Sequence, residues 1–260
     1  MSEPHADGFH MVQLWFDVRK LTQLGRMLHL PLARTDNNYL THCALAELFQ
    51  DQAPAPFCID DVHRSMDHYE DRRARYLRLV AYSNVDGEAL QRIAQGFASP
   101  AVYEICDWSI LASKPMPETF PEGMRLGFEL RACPVVRKAS DGPKWHRGQE
   151  VDAFLSRVWE LDDPTVDVDR EEVYRDWLKD HLERRGGADP LAISMDRFSI
   201  ERMSRRTHGN EREVRTIQRP DVTLTGTLRV VDARAFSDVL RTGVGRHKSF
   251  GFGMLKVRRA

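Results

Sequence analysis

The sequence predicts an α+β protein of two ferredoxin-like (RRM-like) domains in tandem, the second decorated with a helical insertion and a basic β-hairpin. Three observations lead there. Segments of strand and helix pattern follow one another through the first half with β-α-β-β-α-β character and one additional extended piece, an order that suits a sheet with helices on one face. A cluster of turn formers, Ser140 to Lys144 (SDGPK), divides the chain. The second half again mixes helices and strands, around a long arginine-rich hairpin. The domains are therefore placed at 1–139 and 140–260, and a chain of 260 residues accommodates both.

The first segment, Phe9 to Val18 (FHMVQLWFDV), is rich in aromatic and aliphatic residues and reads as a strand. A linker containing Pro31 follows, then a helix from about Asn38 to Gln50 capped by Asp36 or Asn37, with Leu40, Ala44, Leu45, Leu48 and Phe49 on one face. Asp51 to Pro56 stops it. Arg75 to Tyr82 alternates like a half-buried strand, Asp86 to Phe97 reads as a capped amphipathic helix, and Glu104 to Ala112 as extended. Arg125 to Ala132 (RLGFELRA) is a strand closed by Pro134 and is expected to complete the N-terminal domain. Beyond the boundary, Glu150 to Glu160 and Arg170 to Arg185 are predicted helices separated by an acidic linker, the latter ended by Gly186 and Gly187. Leu191 to Ser204 and Arg212 to Thr227 read as strands around a turn at Thr207 to Asn210. Asp232 caps a helix through Leu240, and Phe252 to Val257 closes the chain as a strand.

Composition narrows the function classes. Hydrophobic residues make up 42% of the chain, enough for real cores, but no run approaches the roughly 20 apolar residues of a membrane span. Met1 to Gly8 lacks the basic-then-apolar order of a signal peptide, so a cytoplasmic protein without membrane contact is expected. Cys43, Cys58, Cys106 and Cys133 form no C-x-x-C pair and read as small hydrophobes. His63 and His68, beside Asp60, Asp61 and Asp67, match no helical metal spacing and read as a solvated polar loop; no metal ligand set is expected. The net charge of −1 conceals a division, because Arg197 to Ala260 holds 15 Lys and Arg against 6 Asp and Glu. A basic C-terminal quarter fits either an ordinary solvated surface or a nucleic-acid partner.

The stretch Gly243 to Leu255, GVGRHKSFGFGML, carries the most information. Gly243, Gly245, Gly251 and Gly253 flank Arg246, His247 and Lys248, a composition that lets backbone N–H groups and two cations approach a phosphate. It is not a P-loop, since His247 precedes Lys248 and no helix follows. The dinucleotide pattern G-x-G-x-x-G fails because Lys248 stands at the third glycine. No nucleotide cofactor is expected.

Thr225 to Val257 resembles the C-terminal signature of CRISPR-associated repeat endoribonucleases of the RAMP superfamily, in its CasE-like branch: a strand, an Asp-capped helix, G-[IV]-G-x-x-K-[SA]-x-G-x-G-[LM]-L, and a final strand. Phe128 to Pro134 (FELRACP) is similar to that family's F-x-L-R-A-N-P strand, with Cys133 replacing asparagine. Tyr39 to Leu48 (YLTHCALAEL) is similar to its Y-x-x-H-x-x-L segment. The chain departs from the family at residues 19–36, which lengthen the first link, and at 145–170, a helical insertion.

The resemblance implies that His42 is catalytic, with Tyr39 three residues earlier on the same helical face. An imidazole suits RNA cleavage because it transfers protons near neutral pH, as base toward a ribose 2′-OH or as acid toward the leaving 5′-oxygen; the residues do not assign which. It further implies a metal-independent endoribonuclease whose substrate 2′-OH attacks the adjacent phosphate of precursor crRNA at the 3′ base of a CRISPR repeat stem-loop. The products would be a 5′-OH and a cyclic phosphate or 3′-phosphate, and the enzyme would stay on as a subunit of a crRNA-guided effector complex. Some relatives place a lysine one turn after the histidine where this chain has Glu47, so phosphate charge must be met elsewhere; Arg34, Arg131, Arg246 and Lys248 are the candidates. The hairpin carries Arg197, Arg202, Arg205, Arg206, Arg212, Arg215 and Arg219, positioned by resemblance to read the shape of an A-form stem through its phosphates. Two other readings stand beside this one: a repeat nuclease of another CRISPR type that uses arginines in place of His42, and a non-catalytic hairpin-binding subunit.

Overall fold

The computed structural model describes residues 8–60, 75–161, 166–206 and 214–259, the side chains of 205, 206, 214 and 215 excepted. It comprises two units: Met1–Glu118 with Arg202–Ile217 and Ser249–Gly251, and Thr119–Glu201 with Gln218–Lys248 and Phe252–Ala260.

In the first unit, β1 (His10–Asp17), β2 (Phe57–Ile59), β3 (Tyr76–Ser83) and β4 (Ala112–Pro115) form one sheet in the order β2-β3-β1-β4. β1 runs antiparallel to β3, from His10 opposite Ser83 to Asp17 opposite Tyr76, and antiparallel to β4. This is the ferredoxin-like strand order. Alternation sets the core: Val12, Leu14 and Phe16 on β1 and Leu77, Leu79 and Ala81 on β3 share one buried cluster with Leu21, Leu24, Leu40, Leu45, Leu48 and Leu90 from the helices. Burying each such side chain is worth about 1.5–3 kcal/mol. The helices are α1 (Val18–Met27), α2 (Asn37–Phe49) and α3 (Gly87–Phe97), followed by a single turn, α4 (Pro100–Tyr103). Asp86 caps α3 as expected, accepting from Ala89 N at 2.8 Å.

Two expectations are corrected here. The link over 19–36 is not simply longer, because α1 occupies most of it. Asp17, the last strand residue, caps that helix by accepting from Arg19 N and Lys20 N, and is held by Arg75 at 3.0 Å. Only Leu21, Leu24 and Gly25 of α1 are buried, too few to announce a helix by periodicity. Glu104 to Ala112 is not a strand: Ile105 and Cys106 are buried beside β1 through a single Phe16–Cys106 bridge, and the strand itself begins at Ala112. The three-residue β2 gave no signal of its own.

The second unit holds β5 (Arg125–Ala132), β6 (Val135–Arg137), β7 (Glu150–Asp152), α5 (Ala153–Glu160) and α6 (Arg170–Arg185). After these come β8 (Ala188–Arg206), β9 (Val214–Val230), α7 (Ala233–Thr242) and β10 (Leu255–Arg259), the two long strands running on into the first unit. Its main sheet is ordered β10-β5-β9-β8, so β5-α6-β8-β9-α7-β10 repeats the first unit's connectivity. β5 therefore opens this unit instead of closing the first: it pairs antiparallel with β9, Leu130 opposite Leu224, and with β10, Leu130 opposite Leu255. An alternating strand fits either sheet, and its partners lie more than ninety residues downstream. The boundary expected at 140–144 is a turn within the β6–β7 hairpin, where Gly142 and Trp145 bridge. The segment from Glu150, expected to be helical, starts as β7 and turns helical at Ala153, where Asp152 accepts from Phe154 N at 2.8 Å. α6 ends at Gly186, whose φ of 67° gives the predicted left-handed cap. The turn at 207–210, Arg212, and the cluster from Asp61 to His68 lie outside the described residues.

Burial pushes the Cys106 thiol up to about 12 and raises Cys133, as befits small hydrophobes. No described helix is long and apolar enough to cross a membrane.

Candidate functional site

Helix α2 is fixed at its N-terminus before it presents any chemistry. Asp36 accepts from Tyr39 N at 2.9 Å through one carboxylate oxygen and from Ser204 N at 2.7 Å through the other. Ser204 Oγ donates in turn to the Arg34 carbonyl. One aspartate thus caps the helix and ties it to strand residue Ser204, with the exposed Arg34 in the turn just before it.

Tyr39 and His42 leave α2 one turn apart, their ring centroids 6.2 Å from each other. Phe250, from the glycine-rich segment, stacks on Tyr39 at 6.0 Å and 10° and lies 5.2 Å from His42. The Tyr39 ring is buried while His42 is half-buried. Burial lowers the His42 pKa below its ordinary 6.5, so the imidazole is predominantly neutral at neutral pH, the form that accepts a proton. Glu47, further along the helix, is exposed. Gly251 has φ of 81°, and a Cβ there would come within 2.9 Å of Asn38 Oδ1, so glycine is required where this backbone meets the start of α2.

In the second unit, Gly243 ends α7, donating to the Val239 carbonyl at 2.8 Å. Val244 N donates to the Gly253 carbonyl and Gly253 N to the Arg131 carbonyl, closing the loop onto β5. A Cβ at Gly253 would collide with the Val244 carbonyl oxygen, and one at Gly245 would meet the Trp177 ring. Arg185 of α6 donates to the Gly243 carbonyl at 2.7 Å and to the Asp238 carbonyl and Thr242 Oγ1. Lys248, half-buried, has its pKa lowered by burial and then by Arg185.

The expected cations divide. Arg131 is 14% exposed and bonds bidentately to Asp221, itself 1% exposed, at 2.6–3.1 Å; its guanidinium lies 4.9 Å from the Phe252 ring centre. That is a part-buried ion pair within the second unit. Arg197 lies 3.7 Å from the same Asp221 but is 43% exposed. Arg202 is exposed. Arg205, Arg206 and Arg215 lie on β8 and β9 with side chains outside the described residues. Arg246 meets Glu150 through Nε at 2.5 Å. Among the described residues, no group of three or more His, Cys, Asp and Glu is placed to hold a metal ion. Phe250, Glu150, Arg185 and His247 were not singled out as site residues. For Phe250 a signal existed, an aromatic immediately before a motif glycine; for Glu150 and Arg185, paired far along the chain, there was none.

Fold and site together define a tandem ferredoxin-like protein carrying a histidine on a capped helix and a glycine-rich cationic loop. The model of the family of CRISPR associated proteins matches residues 9–259, and the chain belongs to that family. Among solved structures, it is similar to the CRISPR endoribonuclease Cse3 bound to a 19-nucleotide RNA, at 21% identity and a TM-score of 0.59, covering 96% of this chain and 99% of that one. It is also similar to Thermus thermophilus Cse3 bound to an RNA representing a pre-cleavage complex, at 20% identity and TM-score 0.57, covering 96% and 99%. Cas6e from Escherichia coli K-12 matches at 17% identity and TM-score 0.53, covering 96% and 100%. At these identities the likeness is one of fold. No curated protein matches in sequence.

Proposed function

We propose that this protein is a metal-independent endoribonuclease that binds a CRISPR repeat stem-loop and cleaves precursor crRNA at the 3′ base of the hairpin. The observation that carries the reading is His42, half-buried beside Tyr39 and Phe250 on a helix whose start is pinned by Asp36. Its neutral imidazole takes the proton from the ribose 2′-OH, whose oxygen attacks the adjacent phosphorus. The P–O5′ bond breaks, the leaving 5′-oxygen takes up a proton returned from the imidazolium through solvent, and the products are a 5′-OH and a 2′,3′-cyclic phosphate. Tyr39 orients the imidazole or the phosphate. Of the cations, we assign phosphate charge to Lys248, Arg34 and Arg246, since Arg131 is engaged by Asp221. Arg197, Arg202, Arg205, Arg206 and Arg215 grip the stem, and the product is retained when the protein joins a crRNA-guided complex. The Cse3 structures solved with RNA support this reading through the shared fold and family.

Labelled repeat RNA incubated with the protein in EDTA tests it. Cleavage should proceed and leave a 5′-OH, and a 2′-deoxy substitution 5′ of the cut should abolish cleavage while sparing binding. Normal cutting of the deoxy substrate would rule the mechanism out.

A further inference from the structure

One carboxylate in the second unit gathers three cationic or imidazole side chains from distant parts of the chain. Glu150, on β7 and 10% exposed, takes Arg246 Nε at 2.5 Å on Oε1. Its Oε2 faces His247 Nε2 at 3.0 Å and an Arg219 terminal nitrogen at 3.4 Å. His247 is 5% exposed and sits at φ of 60°, so the loop backbone turns left-handed where the imidazole goes in to meet Glu150. The neighbouring Arg246 stays out, 45% exposed. The approach through Nε matters. A guanidinium has five N–H donors in a rigid plane, and a bond at Nε fixes that plane while the outer edge remains turned away from the carboxylate. That outer edge is the face that matches two oxygens of a phosphate.

We propose that Glu150 is a positioning residue for RNA recognition, holding Arg246 by Nε so that the outer edge of its guanidinium receives one phosphodiester of the bound RNA. Arg219 offsets the carboxylate charge, so the trio of Arg246, Arg219 and Glu150 is net positive toward the RNA. The cluster holds Glu150 ionised, its carboxyl lowered to about 2, chiefly by the His247 hydrogen bond and despite the opposing effect of burial. Arg246 and His247 occupy the two unspecified positions of G-[IV]-G-x-x-K. It rests on the RNA-binding reading above and adds to it a residue that never touches RNA.

Binding of a labelled, 2′-deoxy-blocked transcript of the cognate repeat, measured across a salt titration, tests the proposal with Arg246→Ala, Glu150→Gln, the double variant and Arg246→Lys. Arg246→Ala should weaken binding by about tenfold and lower the salt slope by about one unit. Glu150→Gln, although it removes a negative charge, should weaken binding to a similar degree, and the double variant should be no weaker than Arg246→Ala. Such non-additivity is the mark of one residue acting through the other. Arg246→Lys keeps the charge but not the fork and should lose nearly as much as alanine. Glu150→Gln binding as tightly as wild type or tighter, or additive losses, would overturn the proposal while leaving the RNA reading intact. If Glu150→Gln does not fold, Arg246→Lys decides alone, and wild-type binding by it would overturn the proposal. A wild-type protein that does not bind the hairpin overturns the RNA reading and this proposal together.

Discussion

His42 and His247 are the same residue type in two family-like segments, yet their surroundings assign them different work. His42 stands among rings, with Tyr39 and Phe250 about it and only burial acting on its titration, which favours the neutral, proton-accepting form. His247 stands 3.0 Å from a carboxylate that also receives Arg246 and Arg219, and it helps to hold a loop. The difference teaches that the proposed chemical centre on α2 is organised by desolvation and the cationic loop by paired charge. Removing a carboxylate should therefore disturb the second unit, and wetting or deleting a ring should disturb the first.

The largest effect that would break this comparison is on stability. Asp221→Ala takes from the part-buried Arg131 guanidinium the carboxylate that it bonds bidentately, and losing one member of a buried pair costs about 3–5 kcal/mol. Urea unfolding should show that loss. A change under about 1 kcal/mol would mean that Arg131 turns out to solvent, and it would return to the candidates for phosphate.

A smaller effect sharpens the account of His42. Because burial lowers its folded pKa below the unfolded 6.5, its contribution to stability is intact above pH 6.5 and is lost as pH falls from there through the folded value. His42→Gln cannot take up a proton, so its melting temperature should fall less than that of wild type between neutral pH and about pH 5. Identical acid limbs would show that burial does not govern this imidazole.

What the sequence made legible follows from the range of each signal. The α2 helix, its Asp36 cap and the Gly186 stop on α6 are local, and each was readable from a few residues. The α1 helix was hidden because Asp17 looks like the end of a strand until its carboxylate is seen capping Arg19 N and Lys20 N. The sheet to which β5 belongs was set by Leu224 and Leu255, far downstream, and the pattern RLGFELRA is the same whichever sheet it joins. The site divides likewise. Tyr39 and His42 came from a local motif, but the ring over them and the carboxylate under Arg246 are contacts across the chain. The Asp221 partner of Arg131, ninety positions away, likewise left no local signal.

The most direct measurement is the single-turnover cleavage rate of His42→Ala at saturating protein, taken beside its affinity for the repeat hairpin. Saturating protein removes product release from the rate, so chemistry alone is read. General acid–base assistance is worth about 10²–10⁴ in rate, so cleavage should fall within that range. Affinity should be unchanged, because one imidazole adds little to an array of cationic phosphate contacts. Cleavage by His42→Ala at the wild-type rate, with Arg34→Ala or Arg246→Ala inactive, would contradict the account and move the chemistry from the desolvated helix to the arginines.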